Sequence, residues 1–173
     1  MPVIGTDDKR ELTALLTISL SGELLPPQII YAGKTNRCHS QYGFPDSWSV
    51  THSPNHWSNE ATMLEYCDSI VLPYLRKKRV HSNQKALIIL DVFAAHRCET
   101  VKEKFNSMNC ILVYVPAGCT GDLQPLDLAV NDEYKQLLKN CFIEFHANEI
   151  ANENDTTGPY KLNTAIPKPL HAA

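Results

Sequence analysis

The chain has 173 residues, which is the size of one domain. Hydrophobic residues make up 43% of it and charged residues 20%, so the composition excludes a wholly disordered chain. No apolar run reaches the ~18 residues that would cross a bilayer, and the charged residues 7–11 do not fit the apolar core of a signal peptide. The formal net charge of −3 argues against a protein that binds nucleic acid through surplus positive charge.

The first part of the chain carries strand signals. Residues 11–20 are rich in Leu, Thr and Ile and predict a strand, which a turn at 21–23 connects to a second strand over 25–32. The two should form an antiparallel hairpin, and Pro26 and Pro27 predict an edge strand because proline cannot donate to a ladder. Residues 33–57 lack periodicity and predict an ordered loop. Its two tryptophans would anchor that loop on the core, with stacking on bases as the alternative.

A helix should begin near Ser58, a good N-cap, and Pro73 should kink or shorten it. The basic run 76–79 is interpreted as the solvated end of this helix rather than a phosphate-binding patch. The apolar run 86–90 predicts a parallel strand buried on both faces, followed by a helix over 96–107 and a similar strand over 110–115. Together they predict a right-handed βαβ unit.

The rest of the chain predicts one long helix and a polar tail. After a loop over 116–122, Pro125 suits a first helical turn, and a buried stripe should continue to about Ile150. Residues 151–159 are polar, as in a linker or surface loop, and residues 160–173 have no clear period.

The six cysteines are widely spaced and include no Cys-x-x-Cys pair. They are Cys38, Cys67, Cys98, Cys110, Cys119 and Cys141. In an intracellular protein this spacing predicts buried thiols, and neither a disulfide framework nor a zinc site. Cys38-His39 is a weak metal signal, and Pro54 excludes the helix that the i, i+4 spacing of His52 and His56 would require.

Two aspartates are candidate functional groups. Asp91 follows an aliphatic strand, at the carboxyl end where open α/β sheets gather ligand and catalytic groups. Taken singly, Asp91 could be a cap or ion-pair residue, and Asp127 could simply suit the first turn of a helix. The βαβ unit can return Asp127 to the strand end that carries Asp91, where both could ligate Mg²⁺ or Mn²⁺ for phosphoryl transfer on nucleic acid. His96 could orient a water or contact the phosphate, or serve only in capping or packing.

Several segments together resemble a known family. Residues 90–96 (Leu-Asp-Val-Phe-Ala-Ala-His) and 115–127 (Val-Pro-Ala-Gly-Cys-Thr-Gly-Asp-Leu-Gln-Pro-Leu-Asp) resemble the DDE-type transposase catalytic domain of the pogo/Tigger/jerky, or centromere protein B-like, group. Residues 26–35 and 55–59 fit the same family, and the likeness covers about residues 5–172. The resemblance implies an RNase H-like α/β fold in which three acidic residues hold two Mg²⁺ ions for DNA strand cleavage and joining.

The resemblance assigns the second acid to Asp91 and the third to Asp127. The family often has Asn-Ala where this chain has Val92 and Phe93, which leaves the local hydrogen bonding open but keeps the ligand. No residue matches the family's first acid, which lies on a strand before the hairpin, and Asp7 and Asp8 are interpreted as turn residues. The family's helix-turn-helix region is also unmatched. We therefore expect a chain cut at both ends and catalytically incomplete.

The predicted architecture is thus an RNase H-like mixed sheet, with an antiparallel hairpin plus a parallel βαβ unit, that lacks its first central strand. Residues 1–150 would form a partial DDE-type catalytic domain, and residues 151–173 a polar linker and the truncated C-terminal segment of the family. The lost strand should leave two sub-sheets with unpaired backbone groups, each costing ~1–3 kcal/mol if buried, and an unstable domain or a gap at the sheet centre.

Three functions fit this sequence: an incomplete and inactive DDE endonuclease or transposase domain, a domesticated non-catalytic module that binds nucleic acid or protein, and a coding remnant of a mobile element. The family implies DNA as partner, weakly bound Mg²⁺ or Mn²⁺ as cofactor, and the nucleus as location. We expect no membrane and no small-molecule substrate, and homo-oligomerisation stays open.

Overall fold

The chain contains both strands and helices, with four strands first and helices between the later strands, which agrees with the predicted α/β class. The computed structural model describes residues 4–5, 12–39, 43–81, 83–152 and 161–162. The predicted turn residues Asp7 and Asp8 lie outside them. The strands are β1 (Ile4–Gly5), β2 (Leu12–Leu15), β3 (Gln28–Ala32), β4 (Ser49–Ser53), β5 (Ala86–Leu90), β6 (Cys110–Tyr114) and β7 (Lys161–Leu162). The α-helices are α1 (Glu60–Tyr66), α2 (Leu72–Lys78), α3 (Glu99–Ser107), α4 (Thr120–Leu123) and α5 (Asn131–Asn152).

The predicted hairpin is present, but it belongs to a three-stranded sheet of order β2–β3–β4. β2 and β3 pair antiparallel, with Leu15 opposite Gln28, and β4 pairs parallel to β3 on its other side. The prediction of an edge strand was therefore wrong, because Pro26 and Pro27 precede the first ladder residue and remove no ladder donor. The predicted loop 33–57 also contains a strand, β4, whose Ser- and Thr-rich sequence hides its alternating burial.

The predicted βαβ unit is confirmed by β5, α3 and β6, whose strands pair in parallel from Ala86–Cys110 to Leu90–Tyr114. The prediction that both faces of these strands are buried was wrong, because only one face of this two-stranded sheet is covered. The side chains of the other face are 44–60% exposed: Leu87, Ile89, Ile111 and Val113. An unbroken aliphatic run thus indicated a parallel strand, but not that both of its faces are covered.

The described strands form three separate sheets, in agreement with the two unjoined sub-sheets and the gap at the sheet centre that the sequence predicts. β2–β3–β4 and β5–β6 are the two sub-sheets, and no strand pairing joins them within the described residues. A third pair, β1 with β7, brings Ile4–Gly5 beside Lys161–Leu162 in parallel. The architecture is therefore mixed α/β, with the hairpin and the βαβ unit held together by helices rather than by a continuous ladder.

α1 begins one residue later than predicted, because Asn59 rather than Ser58 is its N-cap. The Asn59 side chain accepts from the Thr62 amide at 3.0 Å, and the Thr62 hydroxyl faces the Asn59 amide at 2.9 Å, which forms a capping box. A π-helical turn, Cys67–Val71, then links α1 to α2, and Pro73 lies in the first turn of α2. Pro73 lacks an amide hydrogen, and the wider turn before it lets the helical segment continue.

The hydrophobic core lies where α1 and α2 pack against α3 and the covered face of β5–β6. Its fully buried members include Met63, Cys67, Val101 and Phe105. The basic run ends α2 as predicted, with Lys78 paired to Glu23 on the surface at 2.5 Å. Within the described residues all six cysteines are free, but only Cys67 and Cys110 are buried, so the prediction of six buried thiols was wrong for the other four.

The second half of the predicted loop 116–122 is helical, because α4 starts at Thr120. A π-helical turn, Leu126–Val130, precedes α5, which extends two residues beyond the predicted end at Ile150. No described side chain of α5 is buried, and Leu137 is 55% exposed, so the predicted buried stripe is only half covered.

Candidate functional site

Asp91 immediately follows β5, at the carboxyl end of the parallel pair. Its Oδ1 accepts a hydrogen bond from the Phe93 amide at 3.1 Å and lies 2.6 Å from Nδ1 of His96. Both contacts use the same oxygen, and no described residue bonds Oδ2, while 33% of the side chain is exposed. The carboxylate is thus oriented through one oxygen, and the other is available to a ligand.

The replacement of Asn-Ala by Val92 and Phe93 leaves this anchoring intact. The donor at position 93 is a backbone amide, which every residue except proline supplies. The sequence alone left the local hydrogen bonding open, because it does not show that the chain turns back over its own carboxylate two residues after the strand.

His96 is a buried residue of the 3-10 turn Ala94–Arg97, with 6% of its surface exposed. Its Nδ1 faces Asp91, and its carbonyl accepts from the Tyr114 hydroxyl at 2.9 Å, at the end of β6. Its Nε2 is buried and has no hydrogen-bond partner within the described residues. The structure therefore shows His96 packed and holding Asp91, and a direct contact of His96 with water or phosphate stays a prediction.

Asp127 lies in the first turn of the π-helical segment that precedes α5. Its Oδ1 accepts from the Asn131 side-chain amide at 2.5 Å, one turn further along, and its own amide donates to the Gln124 carbonyl at 3.1 Å. Its local environment thus resembles that of Asp91, with one carboxylate oxygen tied by a neighbour in sequence. Convergence of Asp91 and Asp127 on a shared cation stays a prediction.

The loop that carries Asp127 leaves from the strand end beside Asp91. The Val115 amide donates to the Leu90 carbonyl at 2.8 Å and so extends the β5–β6 ladder to the residue before Asp91. Carboxyl ends of parallel strands meet at one edge of a sheet, so the segment from residue 116 onward starts at the edge where Asp91 lies.

An aromatic pair borders this edge. The ring of Trp57 stacks on that of Phe93, with centroids 5.9 Å apart and planes inclined by 22°. The contact attaches the turn before α1 to the residue that anchors Asp91, which confirms the predicted anchoring role of this tryptophan. Trp57 is nevertheless 54% exposed, so part of its indole remains accessible to solvent.

A second cluster of ligating groups was missed by the sequence analysis. Ligand atoms of Cys38, His39 and His52 all lie within 4.8 Å of one another, the only such group of three His, Cys, Asp or Glu residues within the described parts of the chain. Burial, and next the neighbouring His52, lower the pKa of His39 below its ordinary value. The available signal was Cys38-His39 followed by a histidine, but its use required knowing that residues 49–53 form a strand beside β3.

Comparison with known proteins assigns the family. The sequence model of the DDE superfamily endonucleases matches residues 9–168, so the chain belongs to that family. The human protein named Pogo transposable element with KRAB domain is 30% identical over 131 residues, which is 75% of this chain and 20% of that protein. Its mouse counterpart matches with the same identity and coverage.

The human protein named Pogo transposable element with ZNF domain is 23% identical over 162 residues, or 87% of this chain and 11% of that protein. The chain thus spans about a fifth or less of the length of these curated relatives. No solved structure matches. Within the described residues, no helix has both the length and the apolar character needed to cross a membrane.

Proposed function

We propose that this chain is a DNA-contacting, transposase-derived domain in which Asp91 and Asp127 are the second and third acids of an RNase H-like DDE site. The observation that carries the proposal is the geometry of Asp91. It follows a parallel strand of a chain that belongs to the DDE superfamily endonucleases, and two donors hold its Oδ1 while Oδ2 stays open.

Asp91 and Asp127 suit a hard divalent cation such as Mg²⁺ or Mn²⁺, because each side chain offers carboxylate oxygens. Each aspartate keeps one oxygen tied, by Phe93 and His96 in one case and by Asn131 in the other, so the second oxygen of each would face the ion. When bound, the ion would neutralise the two carboxylates and favour contact with a DNA phosphate. His96 is a positioning residue here, because it acts on Asp91.

We propose further that the chain alone does not cleave DNA. Two carboxylates supply fewer ligands than the three-acid cluster that the family resemblance implies, and no residue of the sequence matches the first acid. A net charge of −3 gives little attraction to phosphate without the cation, so DNA contact should depend on the metal. A nuclear location and a DNA partner complete the proposal.

The decisive experiment is a Mn²⁺ titration followed by the paramagnetic relaxation of water protons. Weak binding is expected, and Asp91→Ala should abolish it, whereas Asp127→Asn should weaken it at least tenfold. Asp132→Asn is the matched control, because Asp132 is an exposed acid in the first turn of α5. Binding that is unchanged in both Asp91→Ala and Asp127→Asn would overturn the assignment.

Incubation of supercoiled plasmid with the chain and Mn²⁺ tests catalysis separately. No nicking is expected. Nicking that disappears in Asp91→Asn would support the site and contradict only the inactivity, whereas nicking that survives both Asp91→Asn and Asp127→Asn would contradict the site. Fluorescence anisotropy of a labelled DNA duplex should rise only with Mn²⁺ present, and a rise that is independent of Mn²⁺ would contradict a metal-dependent contact.

A further inference from the structure

A group of three soft and borderline ligands lies at the end of the β3–β4 pair and shares no residue with the proposed DDE site. Nε2 of His39 and Nδ1 of His52 are 3.0 Å apart, and a ligand atom of Cys38 lies within 4.8 Å of both. All three side chains are partly buried. We propose that Cys38, His39 and His52 form a zinc-binding site.

The backbone brings these residues together by a short turn that follows a strand. β3 and β4 run parallel, with Tyr31 opposite His52. The 3-10 turn Asn36–Cys38 comes four residues after β3 and is closed by the Cys38 amide donating to the Thr35 carbonyl at 3.1 Å. It therefore folds Cys38 and His39 back toward His52 on the neighbouring strand.

Gly33 makes room for the thiol. A Cβ built on residue 33 would overlap both Cβ and Sγ of Cys38, so any larger residue would displace the cysteine side chain. The Gly33 amide donates to the Ser53 carbonyl at 2.8 Å, which continues the β3–β4 ladder past His52. The position of Cys38 relative to His52 thus depends on a glycine within that ladder.

The donor set decides which ion fits. One thiolate and two imidazoles suit zinc and do not suit Mg²⁺ or Ca²⁺, which prefer oxygen ligands. Two imidazole nitrogens on a tetrahedral zinc ion are about 3.3 Å apart at Zn–N distances of 2.0–2.1 Å, close to the 3.0 Å observed. Zinc would bind the two ring nitrogens that face each other, and the proton between them would move to the other nitrogen of its own ring, so both imidazoles would stay neutral. The thiol would release its proton to solvent, and a water would complete the tetrahedron.

Bound zinc would tie the turn after β3 to β4. Three protein ligands leave one position for water, which also resembles the coordination of catalytic zinc sites. The inference is limited to metal binding.

The test is a Co²⁺ titration of the full 173-residue chain under reducing conditions, followed by visible and near-ultraviolet absorption. A thiolate-to-cobalt charge-transfer band should appear and disappear when Zn²⁺ displaces Co²⁺. Cys38→Ser should remove this band, and His52→Gln should weaken Co²⁺ binding at least tenfold. Cys98→Ser is the matched control, because Cys98 is a free, partly exposed thiol outside the cluster, and it should leave the spectrum unchanged.

A second measurement tests the zinc site in the unmodified chain and so does not depend on the folding of a variant. The unmodified chain is treated with a maleimide, with and without Zn²⁺, and each labelled cysteine is identified by peptide mass spectrometry. Zn²⁺ should slow labelling of Cys38 at least tenfold and leave Cys98 unaffected. Equal labelling of Cys38 in both conditions, or a charge-transfer band that persists in Cys38→Ser, would overturn the proposal. Asp91→Asn should retain the cobalt spectrum, so failure of the DDE assignment and failure of the zinc site are distinguishable.

Discussion

The two larger sheets of this protein differ in a way that their composition does not suggest. β5 and β6 are almost entirely aliphatic, yet one face of the pair is open, with Ile89 54% exposed. β3 and β4 contain Gln, Ser, Thr and His, yet the consecutive residues 28–30 are at most 3% exposed. The more polar sheet is therefore the better buried one.

Polar side chains can be buried in β3 and β4 because α1 supplies their partners. The Gln28 side-chain amide donates to the Thr62 carbonyl at 3.0 Å, and the Thr51 hydroxyl donates to the Glu65 carboxylate at 2.8 Å. Hydrogen bonding offsets the cost of removing these groups from water. The difference between the sheets shows that burial depends on which elements pack against a strand.

The largest expected loss of stability is at Ile30 in β3, and the same substitution at Ile89 in β5 provides the comparison. Ile30→Ala removes a fully buried side chain from β3 and should lower the free energy of unfolding by ~2–5 kcal/mol. Ile89→Ala in β5 is its matched control and should cost less than ~1 kcal/mol, since the side chain is already 54% exposed. Urea denaturation of both variants measures the difference, and equal losses would show that the open face of β5 is covered in solution.

A pH titration tests the layer between the sheets, where α1 packs. Burial raises the pKa of Tyr66 from 10.0 to about 12, and burial likewise raises the pKa of Cys67 from 9.0 to about 12. The folded chain therefore keeps both protons between about pH 9 and about 12, whereas the unfolded chain loses them. The two protonated groups contribute their full share to the free energy of unfolding below about pH 9. This contribution should fall by a few kcal/mol as the pH rises from about 9 to about 12.

Urea midpoints measured from neutral to alkaline pH check this expectation. Tyr66→Phe should reduce the slope of the unfolding free energy against pH above about pH 10. Between about pH 6 and 8, the difference in unfolding free energy between the variant and the wild type should stay constant. Stability that does not change up to about pH 11 would mean that Tyr66 and Cys67 are not buried in solution.

The smallest effect is expected at the start of α1, the helix that contacts both regions. Asn59→Ala removes the capping box and should cost ~1 kcal/mol, within the 0.5–2 kcal/mol usual for an N-cap. Ser58→Ala, at the position that the sequence pattern indicated, should change the unfolding free energy by less than ~0.5 kcal/mol. A larger loss for Ser58→Ala than for Asn59→Ala in the same assay would place the cap where the sequence predicted it.

Local sequence patterns located most elements but not their surroundings. Apolar periodicity predicted the helices other than α4 within a few residues of their observed ends, and the run 86–90 predicted β5 with its observed bounds. β4 was missed because its inward residues are Ser49, Thr51 and Ser53, which carry no apolar alternation. The exposed face of β5 was missed for the converse reason, since aliphatic side chains predict burial wherever they lie.

Of the two candidate sites, one was recognisable from the local sequence and the other was not. Asp91 was recognisable because a carboxylate directly after an aliphatic strand is unusual, and its support by Phe93 and His96 comes from residues within five positions of it. The group of Cys38, His39 and His52 was not recognisable, because its members join two segments whose pairing depends on the parallel register of β3 and β4.

The sequence by itself determined the family, the hairpin, the βαβ unit, the long helix α5 and the carboxylate after β5, since each depends on residues close together in the chain. Only the tertiary structure decided that β3 is a central strand, that one face of β5–β6 is open, and that a cysteine meets two histidines. These features arise from contacts between distant segments. Side-chain periodicity reports where an element could be buried, but the free energy that buries it comes from whichever element packs there.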